Sequence, residues 1–282
     1  MEDLLDFGVP LVNFVILLTV GLDLTLDDFR RVRHQTRVVS IGLVGPALLL
    51  PPLACGLILL LGPPPAIQTG LLLIAACPIG GISNFYSHLA RASPALSVVL
   101  TGASGLLAVV TIPLLDRAFG VLLGQSLGLV APIPLLVGQL FVMLALPIGV
   151  GMWIRRRWPD AAATSQGALR RVSLVGLSML IALTVADDPR ALARDLPSTV
   201  PLAAAFVVGS FFIGWVVTAA LGATRADRFT VATEFATRNV AVAMVIAVTL
   251  AGQVEFAFFA ATYFLTEVPL MLGAIWWFRR SR

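Results

Sequence analysis

A chain of 282 residues with 59% apolar residues, 12% charged residues and mean hydropathy +0.97 lies far outside the range of water-soluble globular proteins. Its formal net charge of +4 comes from arginine alone, since lysine is absent, and the arginines cluster between apolar runs. That pattern argues for membrane orientation and against a nucleic-acid partner, and the sequence predicts an all-α polytopic membrane protein.

Apolar runs long enough to cross about 30 Å of hydrocarbon recur along the chain, and nine spans are predicted. They fall at residues 7–22, 38–61, 67–89, 95–115, 132–154, 172–186, 197–221, 229–250 and 256–278 of a single transmembrane unit covering residues 1–282. Ahead of the first span, Glu2, Asp3 and Asp6 are the opposite of the basic start of a cleaved signal, so the span is expected to begin near Phe7. The second ends at Gly62-Pro63-Pro64-Pro65, a firm stop for a helix. Residues 116–131 are only moderately apolar and read as a loop or as a helix lying at the interface. Arg155-Arg156-Arg157 closes the fifth span.

Nine spans put the termini on opposite sides, and arginine chooses between them. Fifteen of the 19 arginines fall on the side of the C-terminus, three fall on the other, and Arg238 lies inside a span. The asymmetry predicts an N-terminus outside and a C-terminus in the cytoplasm. Asp23, Asp27 and Asp28 read as a solvated helix end, and His34 and His88 as surface or interface residues with no metal-like partner. Cys55 and Cys77 read as small packing residues.

Two spans are interrupted. Residues 77–84, CPIGGISN, place a proline and two glycines where a membrane helix has no need of them, with Ser83 and Asn84 at the same depth. Residues 233–239, TEFATRN, interrupt the eighth span. Freed backbone groups are tolerated in hydrocarbon only where they face protein, a cavity or an ion. Two broken spans, five helices apart, fit an inverted repeat in which the first copy lacks its opening helix. They are also the best sequence pointer to a transporter's binding site.

Charge at membrane depth needs a reason, since each such residue costs about 2.5–3.5 kcal/mol on an insertion scale. Glu234 and Arg238 stand i, i+4, which lets them pair on one helix face; the alternative is that Glu234 is an ion ligand or proton site. Glu267 either faces a polar cavity or is held by a neighbouring hydroxyl. Ser97 and Thr101 share one face of the fourth span, where they could be ordinary hydroxyls bonded back to their own helix. Joined with Ser83, Asn84 and Glu234 they form an oxygen-rich set with one carboxylate, which suits a small hard cation such as Na⁺.

The residues resemble the bile acid:sodium symporter family along nearly the whole chain. Residues 21–29 (GLDLTLDDF) are similar to its G-x-x-L-x-x-x-D-F element, and residues 77–101 to its CPGG-x-x-SN segment with the S-x-x-x-T helix that follows. Residues 233–239 resemble its E-x-x-x-Q-N segment. The resemblance implies a panel domain and a core domain, with two discontinuous helices crossing in the core. It implies the nine-helix form found in bacterial members, in an inner (plasma) membrane. Sodium is expected on Ser83, Asn84, Ser97, Thr101 and Glu234, and the substrate beside Gly80, Gly81, Asn84, Arg238 and Asn239.

A second sodium site, usual in the family, departs from the pattern. Its glutamine before the final asparagine is Arg238 here, and a glutamine of the second span is replaced by Pro46. Arg238 is therefore expected to stand in for the second Na⁺ as a fixed positive charge, leaving one coupling ion. The implied function is sodium-coupled alternating access for an organic anion: bile-acid-like, a steroid conjugate or a small carboxylate. Rival readings are a proton-coupled or uncoupled carrier using Glu234 or Glu267, and a membrane sensor or scaffold without flux. No nucleophile–base pair or HExxH motif points to an enzyme, and oligomeric state is not encoded in any motif.

Overall fold

The computed structural model describes residues 2–25, 27, 35–124, 127, 129, 132–187 and 189–280. Every regular element among them is helical. Helix α1 covers Glu2–Asp23, α2 Thr36–Leu61, α3 Pro65–Ala76, α4 Ile82–Leu89 and α5 Pro94–Leu123. Helix α6 (Ile133–Leu140) runs through a π-helical turn, Phe141–Ala145, into α7 (Leu146–Arg157). Then follow α8 (Pro159–Asp187), α9 (Pro189–Ala220), α10 (Arg225–Ala236), α11 (Val240–Val245) and α12 (Val254–Arg280).

Punctuation in the sequence sets these limits. Gly62 adopts a left-handed conformation (φ 56°) and its N–H closes α2 on the Ile58 carbonyl at 2.9 Å. Pro65 and Pro94 sit in the first turns of α3 and α5, where their missing N–H groups have no intrahelical partner to lose. Pro147 lies inside a continuous helix, just after its π-helical turn. Among the described residues, five helices are long and apolar enough to cross a membrane: Thr36–Leu61, Pro94–Val121, Ile133–Arg157, Leu196–Ala220 and Glu255–Arg280. The halves of the interrupted spans are not, because 12 residues at ~1.5 Å each reach only about 18 Å.

Two groups of helices emerge from the packing. Helix α1 packs mainly against α7 and α8, while α2, α3, α9, α10 and α12 pack on one another. Between α1 and α7 the backbones touch: a Cβ on Gly21 would strike the Ile148 carbonyl and the Cα of Gly151. Apolar side chains such as Leu48, Leu59, Val175, Phe212 and Leu265 point outward. Trp153, Trp158, Trp276 and Trp277 lie near helix ends, with Arg157 against Trp158 and Arg280 over Trp276.

Several expected limits shift. The fourth predicted span does not stop at residue 115; α5 continues to Leu123 before Gly124 ends it at φ 66°. Beyond that cap, buried Asp116 accepts the Leu127 N–H at 2.6 Å, so the carboxylate folds the following chain back onto the helix. Helix α8 begins at Pro159 rather than residue 172, because Pro159 and Asp160 make a favourable first turn and its polar first half is exposed. Asp23 is not a solvated helix end: its carboxylate accepts from Arg170 of α8 at 2.8 Å. Asp27 is exposed, whereas Asp28, His34, Arg30, Arg31, Arg33 and Arg282 lie outside the described residues.

Candidate functional site

Pro78 and the extended residues around it end α3, and the extended residues 237–239 end α10. These two gaps lie against each other as an antiparallel bridge between Ile79 and Arg238. The Gly80 N–H donates to the Thr237 carbonyl at 3.0 Å, and the Asn239 N–H donates to the Pro78 carbonyl at 2.9 Å. Glycine is required at 80, since a Cβ there would lie 2.7 Å from the Arg238 carbonyl oxygen. Other freed groups also find partners: the Ile79 N–H donates to Ser104 Oγ at 3.1 Å, and Tyr263 Oη donates to the Ala236 carbonyl. Asn239 Oδ1 caps α11 by accepting the Val242 N–H at 3.2 Å. The backbone that loses its helix thus recovers hydrogen bonds inside the protein.

Beside this crossing, three helices deliver oxygen to one point. Ser83 and Asn84 come from α4, Ser97 and Thr101 from α5, and Glu234 from α10, and all five residues are buried. Glu234 Oε2 accepts from Ser83 Oγ at 2.8 Å and from Thr101 Oγ1 at 3.2 Å, while Oε1 accepts from Ser97 Oγ. Asn84 Oδ1 accepts from Ser97 Oγ at 2.8 Å and Thr101 Oγ1 at 3.2 Å; Ser83 Oγ and Thr101 Oγ1 are 3.2 Å apart. Six close oxygen–oxygen contacts therefore share only three hydroxyl protons. Such a cluster has more acceptors than donors, and added positive charge, a hard cation or one proton, relieves it. Neutral oxygens with one carboxylate fit a small hard cation.

Of the two readings of Glu234, the pairing with Arg238 does not form. Helix α10 ends at Ala236, so position 238 is no longer one turn along a helical face from 234. Arg238 Nη2 donates instead to the Cys77 carbonyl, and Nε and Nη1 have no hydrogen-bond partner among the described residues. Arg238 also lines a small cavity of about 20 Å³ together with Pro46, Cys77 and Pro78. Glu267 lines neither that cavity nor the larger one described next. Fully buried on α12, it accepts from Thr237 Oγ1 at 3.0 Å, so a neighbouring hydroxyl does hold it.

A cavity of about 220 Å³ opens between the crossing and the helices α1 and α8. Gly80, Gly81, Asn84, Arg238 and Asn239 all stand on its wall, opposite Thr19 and Asp23 of α1 and Arg170 and Ser173 of α8; Phe85 and Phe264 add apolar surface. Ser104, Thr237 and Tyr263, which secure the crossing, were not foreseen. One signal was available for Ser104: with Ser97 and Thr101 it continues a single hydroxyl-bearing helix face at i, i+4, i+7.

Comparison with known proteins points to one family. The model of the Sodium Bile acid symporter family matches residues 10–194. An uncharacterized sodium-dependent transporter, YocS, of Bacillus subtilis is 32% identical over 174 residues, 62% of this chain and 53% of that protein. A probable sodium/metabolite cotransporter, BASS1, of Arabidopsis thaliana chloroplasts is 26% identical over 233 residues, 83% of this chain and 57% of the relative. The human ileal sodium/bile acid cotransporter is 29% identical over 115 residues, 41% of this chain and 32% of the relative. The chain spans a little over half the length of the first two and a third of the last. These are names of transporters, not enzymes.

Proposed function

Because the chain belongs to the sodium bile acid symporter family, we propose that it is a secondary transporter that carries a small organic anion together with sodium by alternating access. The observation that carries the reading is the convergence of Ser83, Ser97 and Thr101 on the Glu234 carboxylate, immediately beside two broken helices and a cavity. In this reading Na⁺ is held by Ser83, Asn84, Ser97, Thr101 and Glu234. Its ligands come from α4, α5 and α10, so sodium ties together the elements whose extended ends form one wall of the substrate cavity. Coupling then follows from shared structure: the ion favours the arrangement of the crossing that the anion also needs.

The anion sits against Gly80, Gly81, Asn84, Arg238 and Asn239. Arg238 takes the place of a second sodium; its guanidinium reaching the Cys77 carbonyl beside Pro46 supports this. The fold reading is nine transmembrane helices as an inverted repeat, with α1, α6, α7 and α8 as the panel and the remaining helices as the core. Arginine asymmetry favours a multi-pass protein of an inner (plasma) membrane, N-terminus outside and C-terminus cytoplasmic. Uptake of organic anions into proteoliposomes under a sodium gradient tests the whole reading. Sodium-driven uptake with a Hill coefficient near one is expected, and a coefficient near two contradicts the single site.

One rival has an observation in its favour. The shared-proton cluster at Glu234 is relieved by a proton as well as by sodium, and Glu267 is a second buried carboxyl next to the crossing. Uptake driven by a pH gradient in sodium-free buffer would select that proton-coupled carrier. Anion binding without flux would instead mark a membrane sensor or scaffold.

A further inference from the structure

The substrate cavity has a second polar wall, facing the crossing, on α1 and α8. Ser173 is 7% exposed, lines the cavity, and its Oγ has no hydrogen-bond partner. One turn earlier on the same face of α8, Arg170 also lines the cavity; its Nη2 donates to Asp23 Oδ2 at 2.8 Å, leaving further guanidinium donors directed elsewhere. Asp23 lines the cavity too, so this wall carries a compensated ion pair rather than a net charge. A neutral pole with an unpaired buried hydroxyl, a carboxylate acceptor and guanidinium donors suits a group that both donates and accepts hydrogen bonds. A second carboxylate suits it less, because it would have to compete with Asp23 for Arg170.

Size narrows the class further. A cavity of about 220 Å³ lies below the ~300–1,000 Å³ of pockets for drug-sized ligands. Such a space favours a compact acid over a four-ring steroid. Resting on the organic-anion reading above, we infer that the substrate is a short-chain carboxylate bearing a hydroxyl or amide at its far end. Its carboxylate faces the crossing, and its distal group is received by Ser173 and the Asp23–Arg170 pair.

The test measures binding to the purified full chain in sodium buffer by calorimetry. 4-Hydroxybutyrate and 5-hydroxypentanoate are compared with butyrate and pentanoate, with succinate and taurocholate alongside. The better of the two hydroxy acids is expected to bind about tenfold tighter than its parent acid, the worth of one hydrogen bond to an otherwise unpaired buried group. Ser173→Ala should collapse that ratio towards one, and Arg170→Gln should reduce it. The inference is overturned if hydroxy acids gain nothing over their parents, if Ser173→Ala leaves the ratio intact, or if succinate or taurocholate binds tightest. Parent acids that bind in Na⁺ but not K⁺ without any hydroxyl preference sink this inference alone. Absence of sodium-dependent binding by every acid sinks the carrier reading with it.

Discussion

Replacing Glu234 by glutamine removes the one formal charge of the oxygen cluster while keeping its shape. The carboxylate receives Ser83, Ser97 and Thr101, and no arginine replaces them, since Arg238 is turned towards Cys77. A unit-charge attraction across ~4 Å at an effective dielectric near 20 amounts to about 4 kcal/mol. Glutamine retains one acceptor oxygen, so we take about 3 kcal/mol as the loss, roughly a hundredfold in sodium affinity. At a sodium concentration of about 100 Kd, binding stabilises the native protein by about 2.7 kcal/mol; a hundredfold weaker site gives about 0.4 kcal/mol. With ~2–4 °C per kcal/mol for chains of this size, the sodium-specific rise in Tm falls from roughly 5–10 °C to about 1 °C. Thermal unfolding in Na⁺, Li⁺ and K⁺ at matched ionic strength reads this directly. A Glu234→Gln protein that keeps the sodium-specific rise at the same concentrations refutes the assignment.

Further outcomes follow from individual contacts. Gly80→Ala drives a methyl onto the Arg238 carbonyl, which as backbone cannot swing aside; losing the Gly80–Thr237 bond and its neighbour should cost about 2–4 kcal/mol and abolish uptake. Gly273→Ala on α12, where a Cβ meets nothing within 4 Å, is the matched control, and its Tm should hold or rise slightly. Arg238→Gln removes the fixed cation beside Pro46, so the Hill coefficient for sodium should move from one towards two in proteoliposome uptake. Asp227 accepts from Ser93 Oγ and Thr224 Oγ1, each at 2.7 Å, tying the start of α10 to that of α5; Asp227→Ala should lower stability by about 2–3 kcal/mol in thermal denaturation.

Apolar run length and Pro–Gly punctuation made the helical class and both interruptions legible, because hydrocarbon leaves the backbone so few choices. The oxygen set was legible for the same reason: Ser97 and Thr101 share a face by simple periodicity, and Glu234 is a charge without another excuse at that depth. What local pattern could not supply was the partner of each charge. Pairing Glu234 with Arg238 assumed a helix through residue 238, but the chain is extended there because position 79 of a distant segment lies against it. Asp23 looked solvated because Arg170 is 147 residues away. The early start of α8 was hidden in the same way, since its first turns are polar and a hydropathy reading registers only the apolar part that follows.

Where the two gaps meet, the stitching from Gly80 to Thr237 and from Asn239 to Pro78 is done entirely by main-chain atoms. Such a joint asks for a glycine at 80, and beyond Ser104, Thr237 and Tyr263, which brace it, the two bonds make no demand on side-chain identity. With an arginine in the place of an amide, and PIGG in the place of PGG, both main-chain bonds still form. Diversification of cargo on this architecture needs no new scaffold, only new chemistry hung on an old seam.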